Sequence, residues 1–388
     1  MTIKKLCLLA LIAIIGASAM WIYTNFFERA ASGATAYQQL TELTQVTEAL
    51  PAERIEPSIE TILEPGQALD ISEYPVGEIN IQRLGKNTYW ILHNLHAMTL
   101  YVGDNEVLLV DAADFLFADR LLDRIQEITL NPLTTLVYTH THQDHISGAE
   151  RLVKEMTLRG MRPLRIIASE AFVHESIGYQ QQTPMPTETL ENGRQNFEFD
   201  GETFIMATPV RWAHSGADSY IITPDRVITF IDFAQPNRLP IHDVSGVQNL
   251  HGYIEFLRHV MGEDWELANF GHFQPGNRAD VQRILDYFQD LYDIWFDVIP
   301  DHWGIPAYLK GKARDEWPAI WLKNTFDDIT EEMVKRAEPE WGHLPQWELA
   351  RDHALKVHWD AFLNYNFSDH PDIRPAFDPI PPTTRPDG

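Results

Sequence analysis

The chain has 388 residues, of which 44% are hydrophobic, and its formal net charge is −26 at pH 7. This length exceeds that of one minimal domain, and the apolar content is sufficient for a sizeable core. Because so acidic a surface repels nucleic acid and anionic membranes, we expect a small-molecule substrate and no nucleic-acid partner. Cys7 is the only cysteine, so the mature chain has no internal disulfide and no thiolate for catalysis or metal binding.

The first 23 residues have the pattern of an export signal. Lys4 and Lys5 precede the apolar stretch Leu6–Tyr23, and Ala17-Ser18-Ala19 offers a cleavage site of the A-x-A kind. We therefore expect cleavage and a periplasmic or secreted protein. The alternative is an uncleaved membrane anchor, because the apolar stretch of 18 residues is just long enough to cross a bilayer. A membrane partner is expected only in that case.

Residues 24–78 are polar to mixed, and we expect a short helix at Tyr37–Leu50 followed by a segment that wraps the domain. The pattern then changes to strands, and we predict a folded domain at residues 79–300. Its first four strands are separated by turns and are predicted at Ile79–Leu84, Thr88–Leu92, Met98–Val102 and Val107–Val110. A helix at Phe117–Ile128, a strand at Leu136–Tyr138 and a helix at Gly148–Met156 follow.

The second half of this domain is predicted to contain a polar loop or insertion at residues 175–201. The remaining strands are predicted at Leu164–Ala168, Thr203–Ala207, Tyr220–Thr223 and Val227–Ile231, and a long amphipathic helix at Asn277–Ile299. Residues 301–388 read as a C-terminal helical extension that ends in a proline-rich tail, Pro379–Pro386.

Four side chains that bind metals lie within six positions after the apolar run Leu136-Val137-Tyr138. They are His140, His142, Asp144 and His145 in the sequence HTHQDH. Alternate residues of an extended chain point to the same side, so the first two histidines can hold one ion together. The last two residues follow where the chain turns into a helix and can reach a second ion. Imidazole and carboxylate suit zinc and, less selectively, iron or manganese.

Other candidate ligands stand just past apolar strands. Strand ends along one edge of a sheet gather in space, so residues far apart in sequence can form one site. The four candidates are Asp111 after Val107–Val110, His214 after Thr208-Pro209-Val210, Asp232 after Val227–Ile231 and His272 after Leu267–Gly271.

These residues resemble the signature of the metallo-β-lactamase superfamily, which is H-x-H-x-D-H followed by a further His, Asp and His. The resemblance covers about residues 79–300. Asp111 matches the first motif, the HTHQDH segment the second, and His214, Asp232 and His272 the third, fourth and fifth. It implies a fold of the α/β class, an αββα sandwich, here with an extra C-terminal helical segment.

The resemblance also implies a binuclear centre, with two Zn²⁺ ions or with iron or manganese in their place. His140, His142 and His214 would hold one metal. Asp144, His145 and His272 would hold the other, and Asp232 would bridge the two. A metal-bridged hydroxide would attack a small ester, lactone or thioester carbonyl, and Asp144 would be the catalytic residue that orients the hydroxide and passes a proton. Asp111 is expected either to anchor the ligand loop or only to cap a turn.

Positions at which the chain differs from some members of the family reduce the number of reactions that the resemblance allows. Aspartate at position 232, rather than cysteine or serine, argues against the common β-lactamase subclasses and favours lactonases and thioesterases. A β-lactamase, a mononuclear iron oxygenase of the persulfide dioxygenase kind, and a non-catalytic binding protein stay as alternatives. His251 and His259 are fallback ligands should His272 not reach the site.

Overall fold

The computed structural model describes residues 55–72, 74–113, 118–209, 212–302 and 311–365. Three predictions lie outside these residues: the export segment at residues 1–23, the helix at Tyr37–Leu50 and the proline-rich tail at Pro379–Pro386. Among the described residues no helix is both long enough and apolar enough to span a membrane.

The first sheet contains seven strands of the described chain, arranged in sequence order. They are β1 (Ile79–Arg83), β2 (Thr88–His93), β3 (His96–Val102), β4 (Val107–Val110), β5 (Leu133–Val137), β6 (Arg165–Ser169) and β7 (Glu188–Leu190). Strands β1 to β4 form an antiparallel meander, and β4 to β7 run parallel. Parallel neighbours need crossover connections, which the helices α1 (Ala118–Ile128), α2 (Gln143–Ile146), α3 (Gly148–Leu158) and α4 (Glu170–Gly178) supply.

The second sheet contains six described strands in the order β13-β12-β11-β10-β9-β8. They are β8 (Gly193–Phe199), β9 (Glu202–Thr208), β10 (Tyr220–Ile222), β11 (Val227–Thr229), β12 (Leu267–Asn269) and β13 (Gly276–Asn277). Only the pair β11 and β12 is parallel among them. The helices of this half are α5 (His242–Gly246), α6 (Leu250–Gly262), α7 (Arg278–His302), α8 (Trp317–Trp341) and α9 (Ala350–Asn364).

The two sheets pack face to face, and each has helices on its outer face. Strand β4 shows how: Val107 and Leu109 pack with the helices α1, α3 and α4, whereas Leu108 and Val110 pack against Phe204 and other residues of the second sheet. Because successive side chains of a strand point to opposite faces, a strand buried on both sides reads as a continuous apolar run. This order of layers is the αββα sandwich that the resemblance implied.

The prediction of a polar loop or insertion at residues 175–201 is wrong. This stretch contains the end of α4 and the strands β7 and β8. Strand β8 alternates outward polar residues such as Arg194 with the inward residues Phe197 and Phe199. It is half exposed, and its polar face hid the period of two in the sequence.

The C-terminal helices share one hydrophobic core with the second sheet. Met333 of α8 and Val357 of α9 pack in the same cluster as Phe230, Leu257 and Leu285. The extra C-terminal helical segment is therefore present and covers the outer face of α6 and α7. The predicted boundaries at residues 78/79 and 300/301 stay predictions.

Two buried histidines of α9 bond to aromatic side chains of α7. The Trp295 indole Nε1 donates to Nδ1 of His358 at 2.9 Å, and the Tyr287 hydroxyl lies 3.1 Å from Nδ1 of His353. An indole can only donate, so His358 must carry no proton on Nδ1. Burial lowers the pKa of both histidines to about 4.

We predict that His358 makes the fold acid-sensitive between about pH 6.5 and 4. In this window the unfolded chain binds a proton at the ordinary pKa while the folded chain does not, which lowers the free energy of unfolding by on the order of 3 kcal/mol. The measurement is urea unfolding at several pH values for the wild type and His358→Gln, whose amide oxygen can accept the indole bond. The variant is expected to lose less stability on acidification; equal pH slopes would contradict the prediction.

Candidate metal centre

The HTHQDH segment follows β5 at the carboxyl ends of the parallel strands of the first sheet. Residues 138–142 continue the chain beyond the strand, and α2 begins at Gln143. His140 and His145 are fully buried, whereas His142 is half-buried and the Asp144 side chain is 45% exposed. Because only the last two reach solvent appreciably, this segment marks the open side of the cluster.

Seven side chains form two groups of ligand atoms that share Asp232. The first group contains His140, His142, His214 and Asp232, and the second contains Asp144, His145, His272 and Asp232. Within each group one ligand atom from every residue lies within 4.8 Å of the others. The structure thus brings together all seven residues that the sequence selected as metal ligands, in the two sets that the resemblance implied.

The carboxylate of Asp232 lies between four imidazoles. Its Oδ2 is 3.1 Å from Nε2 of His214, 3.3 Å from Nε2 of His145 and 3.7 Å from Nε2 of His140. Its Oδ1 is 2.9 Å from Nε2 of His272. The residue follows β11 with a φ of 70°, and its backbone N–H donates to the carbonyl of Phe270, which aims the side chain at the ligand segment. No other carboxylate of the cluster belongs to both groups.

His214 and His272 reach the cluster on loops after strands of the second sheet. Below His214, the buried carboxylate of Asp218 accepts from the backbone N–H and the hydroxyl of Ser215 and closes a tight turn. His272 has its Nδ1 3.1 Å from the carbonyl of Leu95. With Nδ1 donating to this carbonyl, Nε2 keeps a free lone pair toward the other ligands.

The hairpin that carries Leu95 overhangs the second group. The Nε2 atom of His96 lies 3.7 Å from Oδ2 of Asp144, and its ring centroid is 4.9 Å from that of His272. Backbone pairing holds the hairpin, because the N–H of Ala97 donates to the carbonyl of Gly271 at 2.7 Å. Neither fallback residue joins the two groups; His251 instead bonds the Tyr365 hydroxyl.

Asp111 holds the ligand segment in place through hydrogen bonds from Thr139. It is fully buried, and its carboxylate accepts from the backbone N–H of Thr139 at 2.9 Å and from the Thr139 hydroxyl at 2.7 Å. The same hydroxyl lies 3.0 Å from Nδ1 of His140. Burial raises the pKa of Asp111 to about 7. Of the two expectations for this residue, anchoring of the ligand loop agrees with these contacts.

Burial and neighbouring charges set opposite protonation tendencies within the cluster. Burial and the adjacent imidazoles lower the pKa of His140 and His142. Burial also lowers the pKa of His145 and His214, but the Asp232 carboxylate outweighs it and raises both. Burial raises the pKa of Asp232 itself, and the surrounding imidazoles bring it well below its usual range. An ionised carboxylate amid imidazoles is the donor set that divalent metals bind.

The buried polar atoms of the cluster indicate that these residues fit a metal. Nε2 of His140, both ring nitrogens of His214 and Oδ1 of Asp232 are buried without a hydrogen-bond partner among the described residues. Nε2 of His214 lies 3.1 Å from Oδ2 of Asp232, and Oδ1 of Asp232 lies 2.9 Å from Nε2 of His272, both outside hydrogen-bond geometry. In addition, Nε2 of His145 lies 3.2 Å from Nε2 of His272. Each unsatisfied buried group costs about 1–3 kcal/mol, which a shared cation would remove.

Glu175 of α4 joins two ligand loops, a role that the sequence did not reveal. Its Oε2 accepts from the hydroxyl of Thr141, between His140 and His142, at 2.7 Å. Its Oε1 accepts from the backbone N–H of Gly216, two residues after His214, at 2.9 Å. A glutamate on a helix carries no sequence signal for such a contact.

The sequence around the ligand segment is similar to that of a known family. The family model described as the metallo-beta-lactamase superfamily matches residues 94–206, which include the HTHQDH segment. Over this part of the chain, the match confirms the resemblance to the superfamily that the motif residues indicated. The comparison with curated proteins found no match.

Similar solved structures carry related names. A metallo-beta-lactamase from Pontibacter korlensis is 13% identical, with 53% of this chain and 95% of that chain covered and a TM-score of 0.44. The DIM-1 metallo-beta-lactamase is 13% identical, with 54% and 96% covered and a TM-score of 0.45. The metallo-beta-lactamase IND-7 is 15% identical, with 55% and 98% covered and a TM-score of 0.45.

We predict that Glu175→Ala weakens metal binding by the first group about 10- to 100-fold, the range typical for residues that orient ligands. Glu175→Gln should restore most of the affinity, because an amide oxygen can still accept from Gly216. Competition with a chromophoric chelator measures the affinity. Glu170→Ala, at an exposed glutamate of the same helix, is the matched control. Equal affinities of the alanine variants at positions 175 and 170 would contradict the role.

Proposed function

We propose that this protein is an exported, binuclear metal-dependent hydrolase that acts on a small ester, lactone or thioester. The observation that carries the proposal is the pair of ligand groups joined through the buried carboxylate of Asp232. Two complete groups with one shared carboxylate favour two ions over one. A binding protein that had lost its activity would not need to keep all seven ligands.

Zinc is the metal we propose, with iron or manganese as substitutes. Three imidazoles and one carboxylate in the first group are donors that zinc accepts readily. The second group has two imidazoles and two carboxylates, a harder set that also suits iron or manganese. When bound, the divalent ions would supply a Lewis acid that polarises an acyl oxygen and lowers the pKa of a water molecule.

Asp144 is the residue we propose for proton handling. Its side chain is 45% exposed, whereas the side chain of Asp232 is 5% exposed, so a proton accepted at an Asp144 oxygen can leave to solvent. Its Oδ2 lies 3.3 Å from Nε2 of His145 and 3.8 Å from Nε2 of His272. Burial raises the pKa of Asp144, but the imidazoles of His145 and His96 outweigh it and hold this pKa below its usual range. Asp144 is therefore ionised and ready to accept a hydrogen bond from a nucleophilic water.

Export is supported by the sequence of residues 1–23 alone, with Lys4 and Lys5 before the apolar stretch. The predicted compartment is the periplasm or the exterior. The absence of cysteine after Cys7 means that the mature enzyme neither gains nor loses disulfides on export.

His142→Ala is expected to lower the bound metal by at least one ion per chain and to reduce turnover by about 100-fold or more, as removal of a direct ligand does. Elemental analysis of the purified protein and a hydrolysis assay on the same sample measure both. His251→Ala is the matched control, because this histidine is half-exposed on α6 and bonds to Tyr365. Full turnover by metal-depleted His142→Ala would refute the mechanism.

The reaction class is tested by one panel on the metal-loaded protein. It contains acyl lactones, thioesters, nitrocefin and phosphoesters, with oxygen uptake on glutathione persulfide as a separate assay. We expect turnover of a lactone or thioester. Nitrocefin turnover alone would establish the β-lactamase alternative, and oxygen uptake with bound iron would establish the dioxygenase alternative.

A further inference from the structure

Three exposed apolar side chains lie on the segments that border the first ligand group. They stand at the end of α4, on the loop that follows it and on the chain leading to His214. We call these three the apolar shelf: Tyr179 (62% exposed), Met185 (42%) and Trp212 (63%).

Trp212 and α4 lie side by side at Gly216. A Cβ atom placed on Gly216 would lie 2.8 Å from Oε1 of Glu175 and 3.4 Å from Nε1 of Trp212. Tyr179 is one helical turn after Glu175, so it lies on the same side of α4. The indole thus stands next to Glu175, on the side of the helix at whose end Tyr179 lies.

The loop after α4 binds directly to the HTHQDH segment. Nε2 of Gln181 donates to the carbonyl of Thr141 at 2.7 Å, and Nε2 of Gln143 lies 3.5 Å from Oγ1 of Thr183. Met185 follows two residues later, with its sulfur 3.9 Å from Oγ of Ser176. The loop that carries Met185 is therefore fixed against the segment whose half-buried His142 and exposed Asp144 form the open side of the cluster.

A role in the core does not explain these side chains. An indole that is 63% exposed contributes little to folding, because the hydrophobic effect scales with the area removed from water. Large apolar residues grouped on a surface typically mark a binding site, and Trp, Tyr and Met are frequent in such sites. Glu175, which lies beside Trp212, and the net charge of −26 disfavour an anionic partner.

We propose that the apolar shelf binds the non-reacting apolar arm, an alkyl chain or ring, of the substrate whose carbonyl reacts at the metal centre. This inference rests on the proposed function and deepens it: the substrate is an amphiphilic acyl compound rather than a compact polar one. The arm would lie along α4 between Tyr179 and Trp212, and the acyl group would meet the ligands at His142 and Asp144.

The test compares two hydroxamates that present the same metal-binding head with a short or a long chain. Acetohydroxamate and octanohydroxamate are titrated into the metal-loaded full-length protein by calorimetry, below the micelle concentration of the long one. We expect octanohydroxamate to bind about 30-fold more tightly, because part of its chain leaves water at about 0.8 kcal/mol per buried CH₂. In Trp212→Ala and Tyr179→Ala this preference is expected to fall by about tenfold.

Leu158→Ala is the matched control, because Leu158 is an equally exposed apolar residue at the end of α3. It should leave both affinities unchanged. If the wild type shows no chain-length preference, or if the shelf variants keep it in full, the inference is overturned while binding of acetohydroxamate still supports the metal centre. If neither hydroxamate binds the metal-loaded protein, the proposed function fails and the inference fails with it.

Discussion

One buried carboxylate connects both halves of this fold. Asp232 lies within 4 Å of imidazole nitrogens from His140, His145, His214 and His272, yet its side chain is only 5% exposed. A buried charge is costly unless opposite charges or strong donors surround it. The histidines partly supply this compensation, and divalent cations would complete it. The cluster can form only when the two sheets are correctly packed, because each sheet supplies part of it.

The sandwich is tied together at the edge where the cluster lies. The Thr99 and Thr229 hydroxyls are 2.6 Å apart across the two sheets, and the Asn269 amide donates to the Thr99 hydroxyl at 3.0 Å. The hairpin around Leu95 adds backbone bonds to the chain on either side of His272. These polar links lie among otherwise apolar interior faces, where an unpaired group would be costly, so they help to specify how the sheets align. Ligands from distant parts of the sequence can then meet within a few ångströms.

The sequence predicted the elements that have a strong local signal. The apolar runs of β4 and β5 predicted two buried strands, and the HTHQDH segment predicted the ligands at one end of the site. The positions of His214, Asp232 and His272 just past strand ends predicted the remaining ligands. Strands with a half-exposed face, such as β8, were missed because their pattern resembles that of a polar loop. The role of Glu175 could not be predicted, since its contacts depend on tertiary packing and leave no spacing in the chain.

The most direct test of the account is a crystal structure of the metal-loaded protein with anomalous diffraction at the absorption edge of the bound metal. The account predicts two peaks, about 3.5–4 Å apart, one within each ligand group and both in contact with the Asp232 carboxylate. A single peak confined to one group, or metal bound only outside these seven side chains, would contradict the claim that Asp232 joins two ions into one reactive centre.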